Sequence, residues 1–450
     1  MASKFEMDMT KGPLLSKIIK YAVPMMLTSV LQLLYNAVDI IVVGRYVGST
    51  ALAAVGSTSS LINLIVNAFV GLSVGASVIL AQQIGAGKKK EAFKTVHTAM
   101  KTAIIIGIFL AVVGFLACRP LLTLMGSPID VIDQSTLYMK IYFLGMPGFM
   151  VYTFGSAVMR TVGDTKRPLV FLSISGLVNV VLNLVFILVF QMGVEGVAIA
   201  TIASQYISAL FVVFALLHSD GICKLILNEL KICRKTLLSM IRVGLPVAVQ
   251  SSVFSLSNVL IQSSVNSFGS TAIAGNAAAA NIEGFLYVAM NAFGQSATTF
   301  SGQNYGAKEY RRISKILLYC TSIAFLIGAV AGPLMYLFGQ PILKIYCPDN
   351  LDAITYGLTR LRYIAFFYGA CGLMDSVSGT IRGTGSTFMP MVVSILGVCG
   401  IRIVWVLTVF PIVHTLECLY ISYVLSWSFT ALLHILCYLF VTKRKFKLNA

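Results

Sequence analysis

Three acids stand inside stretches that are otherwise apolar: Asp39 in LLYNAVDIIVVG, Glu283 in AAAANIEGFLY and Asp375 in GLMDSVSGT. An ionised side chain at membrane depth costs about 2.5–3.5 kcal/mol on insertion scales and by default marks an ion or proton pathway. Asp39 sits deep in its apolar span, away from any loop, and is the best candidate. It could carry a proton, or coordinate sodium if oxygen ligands surround it, or simply act as a capping or packing group. Gln32 and Tyr35 precede it by seven and four residues, so the three share one helical face and could line a cavity. Farther on, Gln250, Asn258, Gln262, Asn276 and Asn281 put a polar face on two neighbouring stretches. Acids in a largely apolar pocket suit lipophilic cations, because a low dielectric strengthens the attraction. Glu283 and Asp375 could therefore contact such a ligand, or Glu283 could pair with a buried cation such as Arg402.

Other chemistries have no foothold. The four histidines (97, 218, 414 and 434) are dispersed, with no metalloprotease or serine-hydrolase context and no phosphate-binding loop. The nine cysteines are scattered without a C-x-x-C pair, which indicates neither a disulfide framework nor a metal site. An enzyme, an ATP-driven pump and a cofactor-dependent protein are all disfavoured.

The elements that must hold these residues are membrane helices. The 450 residues are 58% hydrophobic and 11% charged, and apolar runs of bilayer-spanning length recur throughout. Twelve spans are expected, at about 14–43, 50–83, 93–118, 133–160, 166–192, 194–217, 235–268, 271–303, 313–340, 354–383, 387–411 and 416–442. The net charge of +17 is a topology signal and does not point to nucleic acid. Basic clusters at Lys4–Lys20, Lys88–Lys94, Arg160–Arg167, Lys224–Lys235, Lys308–Lys315 and Lys443–Lys447 all fall on the side of the N-terminus. By the positive-inside rule both termini are cytoplasmic, in a multi-pass protein of the cytoplasmic membrane with no removable signal peptide.

The second half repeats the first at an offset within one residue of 222. Pro24, Ser29 and Asn36 recur as Pro246, Ser251 and Asn258, and Arg160-x-x-Gly163-x-Thr165-x-x-Pro168 recurs as Arg382-x-x-Gly385-x-Thr387-x-x-Pro390. Duplicated halves in so apolar a chain are how many secondary transporters are built. Six spans per half make the repeat parallel. The expected organisation is an N-terminal lobe over 1–217, a surface linker over 218–235 and a C-terminal lobe over 236–450, enclosing a central cavity. Pro24 and Pro246 should kink spans one and seven, as fixed bends or as hinges.

Two six-helix lobes, a proline within spans one and seven, and the duplicated R-x-x-G-x-T-x-x-P turn together resemble the multidrug and toxic compound extrusion (MATE) family, in particular its DinF-like and MepA-like bacterial members. The resemblance covers essentially the whole chain. It implies an ion-coupled antiporter, working as a monomer, that exports amphipathic and mostly cationic compounds by alternating access. Related lipid flippases share the architecture, and a cavity dominated by cations would favour them. The family's N-lobe site joins an acid on span one to polar residues on spans five and six. The positions here are Asp39, Asn179, Asn183 and Thr201, where a proton or a sodium ion would couple transport. Some members carry Asp where this chain has Asn183, so one titratable group is missing. The span-seven Glu of the NorM branch is replaced at or near Phe254, so the resemblance does not extend to sodium coordination in that lobe.

Overall fold

The computed structural model describes residues 6–125, 129–348 and 350–447, and these form helices with no strand among them. Lys4 lies outside the described residues, as do the side chains of Arg444, Lys445 and Lys447. Among the described residues ten helices are long and apolar enough to cross a membrane, beginning with Leu14–Val47 and ending with Leu416–Lys443. The pair Val131–Leu144 and Met146–Thr161, bent by 47°, makes an eleventh span. Its break precedes Pro147, whose ring nitrogen has no hydrogen to continue the helical ladder. The twelfth, Ser270–Gly306, is less apolar, but its 37 residues match those of Ser49–Gly85, its counterpart in the first half. Several helices outrun the expected apolar windows. Span three runs from Lys89 to Leu124, about 54 Å at 1.5 Å per residue, because helix formers carry it past the bilayer core at its basic end.

Contacts group the residues into two compact units, Met1–Asp8 with Leu27–Ala248, and Met9–Met26 with Val249–Ala450. The two divisions inside helices therefore fall two residues after Pro24 and two after Pro246, one repeat length apart. Span one contributes its first turns to the second unit and the rest to the first. Span seven (Arg234–Asn266) does the converse.

Small residues admit the first half of span seven into the first unit. Gly71 and Gly75 of span two are spaced G-x-x-x-G, and a Cβ on either would strike the backbone of Ala248, or of Met240 and Gly244. The opening of span one joins the second unit by polar and aromatic contacts. Tyr21 Oη donates to Thr299 Oγ1 (3.1 Å) and its ring meets Phe300 edge-on. Asn304 Nδ2 donates to the carbonyl of Met9 (3.1 Å).

The duplicated turn also has a physical account. Gly163 and Gly385 have φ of +94° and +80°, a backbone that L side chains rarely adopt. In the first copy Asp164 accepts from the Arg167 amide (3.1 Å) and pairs with its guanidinium, which ties the loop to the start of span five. Apolar side chains such as Leu116, Leu177, Leu210 and Phe214 stand exposed, as expected of surfaces solvated by lipid tails.

Candidate functional site

The first unit brings Asp39 and the asparagine pair together. Asn183 Nδ2 donates to Asp39 Oδ1 at 2.5 Å and lies 3.4 Å from Asn179 Oδ1. Asn183 and Asn179 are buried, and Asp39 is half-buried. One face of span five thus presents two amides to the carboxylate of span one, as the spacing of four requires. Among the described residues Asn183 is the sole hydrogen-bond partner of Asp39, and Asn183 Oδ1 is buried with no partner at all.

Tyr35, one turn before Asp39, holds the two helices in register. Its hydroxyl donates to the Ser173 carbonyl (3.1 Å), and its ring occupies the space that a Cβ at Gly176 would need. Both helices also change pitch beside the site: π-helical turns follow at Val43–Val47 and Val185–Val189 and pack together. Single π turns are rare and frequently mark functional positions.

Two sequence-derived candidates make no hydrogen bond to this cluster among the described residues. Thr201 Oγ1 bonds back to the Val197 carbonyl of its own helix (2.9 Å), and Gln32 is exposed. Tyr138 and Tyr142 of span four lie within electrostatic range of Asp39 and were not singled out by sequence. Their spacing of four was the available signal, but such aromatic pairs are common in membrane helices.

The second unit encloses a cavity of about 400 Å³ whose lining includes Asn258, Gln262, Glu283, Asp375, Arg360 and Arg402. Gln250 is elsewhere, accepting from Arg382 Nη2 (3.0 Å). Glu283 is not paired with Arg402. Its two oxygens accept from Arg360 Nε (3.0 Å) and Nη2 (2.7 Å), and Tyr368 Oη adds a third bond at 3.2 Å. Arg360 also reaches Asn276 Oδ1 (2.8 Å), which in turn accepts from Tyr420 Oη (3.1 Å). The sequence reading overlooked Arg360 because it sits with Arg362 near a helix end, where charge ordinarily marks a loop. The helix starts at Leu351, so Arg360 is about 13 Å inside it. Asp375 accepts from Asn291 Nδ2 (3.3 Å). No group of three or more His, Cys, Asp or Glu that could hold a metal occurs among the described residues, and the nine cysteines are free thiols.

Comparison with known proteins points one way. The family model described as MatE matches residues 24–185 and 246–408, one match in each half. The chain is 28% identical over 94% of its length, and 93% of the relative's, to the probable multidrug resistance protein YoeA of Bacillus subtilis. It is 19% identical to the multidrug export protein MepA of Staphylococcus saprophyticus, covering 92% of this chain and 95% of that one. A solved structure of an outward-facing multidrug resistance MATE transporter superposes with a TM-score of 0.91 at 22% identity, over 99% of each chain.

Proposed function

Because this chain belongs to the MatE family, and is thus a multi-pass membrane transporter and not an enzyme, we propose that it exports amphipathic cations in exchange for protons bound at Asp39. The names of its relatives support drug export as the cargo class. The observation that carries the coupling reading is the Asp39–Asn183 contact at 2.5 Å inside a half-buried site. With Asp39 ionised, the Asn183 amide donates to it. With Asp39 protonated, the carboxylic acid can donate to the amide oxygen, which has no other partner. One side chain therefore serves both protonation states. Sodium fits less well, since a donor N–H is aimed at the space beside the carboxylate where the cation would lie.

The proposed cycle follows from the charge. Ionised Asp39 attracts a cationic drug, and protonation from the outer face removes that attraction. The helix repacks about Pro24, the drug leaves, and proton release to the cytoplasm restores the carboxylate. Exchange of one proton for one monovalent cation moves no net charge, so the membrane potential cancels and the pH difference sets the ratio, about tenfold for each pH unit. The sidedness follows from the basic clusters, which place both termini in the cytoplasm.

The test is export of a fluorescent lipophilic cation from proteoliposomes, with pH and sodium gradients imposed separately. Export driven by the pH gradient and lost in Asp39→Asn is expected. Export driven by sodium alone, or a wild-type rate in Asp39→Asn, would overturn the proton assignment. The alternative of a lipid flippase would gain from a cation-dominated cavity, but the second-unit cavity holds two acids and two arginines.

A further inference from the structure

The two arginines of the second-unit cavity differ in one respect. Arg360 is saturated by a bidentate carboxylate, an amide oxygen and the rings of Tyr420 and Tyr423. Arg402 is buried to 4% exposure yet meets no carboxylate within ion-pair distance. Its bonds go to Ser426 Oγ from Nε (3.1 Å) and to Asn258 Oδ1 from Nη1 (3.4 Å), and its guanidinium stacks 3.9 Å over the Tyr423 ring. Among the described residues nothing accepts from Nη2. Arginine cannot shed its charge in a protein, and a buried cation without a counterion is costly by several kcal/mol. A desolvated cation–π contact returns about 2 kcal/mol or somewhat more, which offsets only part of that cost. Such a residue, lining a cavity with no acid beside it, marks a ligand site.

We propose that the second-unit cavity binds the carboxylate of a planar aromatic compound, with Arg402 as the cation that recognises it. The free guanidinium edge supplies the charge-assisted bonds, and Asn258 and Gln262 flank it. Phe254, Tyr287 and Trp427 offer flat apolar contact to the ligand body. A carboxylate suits better than a phosphate dianion, because Glu283 pairs with Arg360 and Asp375 lies in the field of Arg382, which leaves Arg402 as the one cation of the lining without an acid beside it. The about 400 Å³ of space fits one or two rings with a short substituent. The site is built from second-unit residues alone and does not depend on the ion that drives export.

The protein carries its own reporter. It has two tryptophans. Trp427 lines the cavity, 5.7 Å from the Arg402 guanidinium, whereas the Trp405 indole bonds the Cys418 carbonyl and is not in the lining. Quenching by 4-nitrobenzoate, 4-nitrobenzamide and 4-nitrobenzylammonium would be titrated in the purified full-length protein, in nanodiscs, with and without Trp405→Phe. Saturable quenching by the carboxylate is expected, at least tenfold tighter than by the amide or the ammonium. It should weaken at least tenfold in Arg402→Gln and partly recover in Arg402→Lys. Equal affinity for carboxylate and amide, tighter binding of the ammonium, or quenching by the carboxylate unchanged in Arg402→Gln would each overturn the proposal. Should Arg402→Gln not fold, the comparison of the three probes in the wild type decides alone. Failure here with proton-driven export intact would remove the anion site and leave the proposed function standing.

Discussion

At the scale of single residues, the Asp39–Asn183 pair makes a sharp prediction. Asn183→Leu leaves the carboxylate without its one donor among the described residues, and the loss of a hydrogen bond to a charged group is worth about 1.5–3 kcal/mol. Proton-driven export in proteoliposomes should fall at least tenfold, while passive drug binding to the folded protein is retained. Asn179→Leu should have the smaller effect, since Asn179 touches Asn183 at 3.4 Å and makes no bond to Asp39. In the second unit the Glu283–Arg360 pair behaves differently. Glu283→Gln abandons a buried guanidinium and should destabilise by about 3–5 kcal/mol, read as a lower melting temperature in detergent. Glu283→Gln combined with Arg360→Met should recover most of that loss, because removing both charges removes the cost of burying either. No recovery would show that the network around Asn276 and Tyr368, more than the ion pair, holds the helices.

At the scale of elements, the prolines sit where a helix leaves one compact unit and enters the other. Proline in a helix interior costs about 3 kcal/mol relative to alanine through its missing donor and its ring. Pro24→Ala should therefore fold at least as stably as wild type while exporting more slowly, if span one must bend during the cycle. A melting temperature and a transport rate from the same preparation test this, and an unaltered rate would make Pro24 a fixed bend. Span two carries an internal control. Gly75→Ala drives a methyl into the backbone of span seven, whereas Gly56→Ala meets nothing within 4 Å. The first should be strongly destabilising and the second close to neutral.

At the scale of the whole molecule, the asymmetry of charge predicts orientation. A protease site placed after the C-terminus and one before the N-terminus should both be cut only from the cytoplasmic side, as the basic clusters require. Protection of one and cleavage of the other would demand an odd number of spans. The family match in each half accords with the duplication read from the chain, but the two halves have diverged at their polar centres. Asp39 with its amides has no acidic equivalent near Asn258 or Phe254, and the two arginines of the second-unit cavity, Arg360 and Arg402, correspond to Tyr138 and Val180 in the first half. The repeat preserves the scaffold that carries the sites and leaves each site free to differ.

Hydropathy, the run of basic clusters and the offset of 222 were enough to read a twelve-helix membrane protein built from two halves, because water, lipid and membrane potential act on composition and spacing directly. The pairing of Asn179 and Asn183 on one face was legible for the same reason, since helical geometry alone sets it. Partner choice across helices was not. The sequence offered Arg402 as a counterion of Glu283, whereas packing brings Arg360 to it and leaves Arg402 without a carboxylate partner. The division of spans one and seven between the two units was equally hidden, for it depends on where Gly71, Gly75 and Tyr21 let helices approach. Periodicity reports which face of a helix is polar, and only the tertiary structure decides what that face meets.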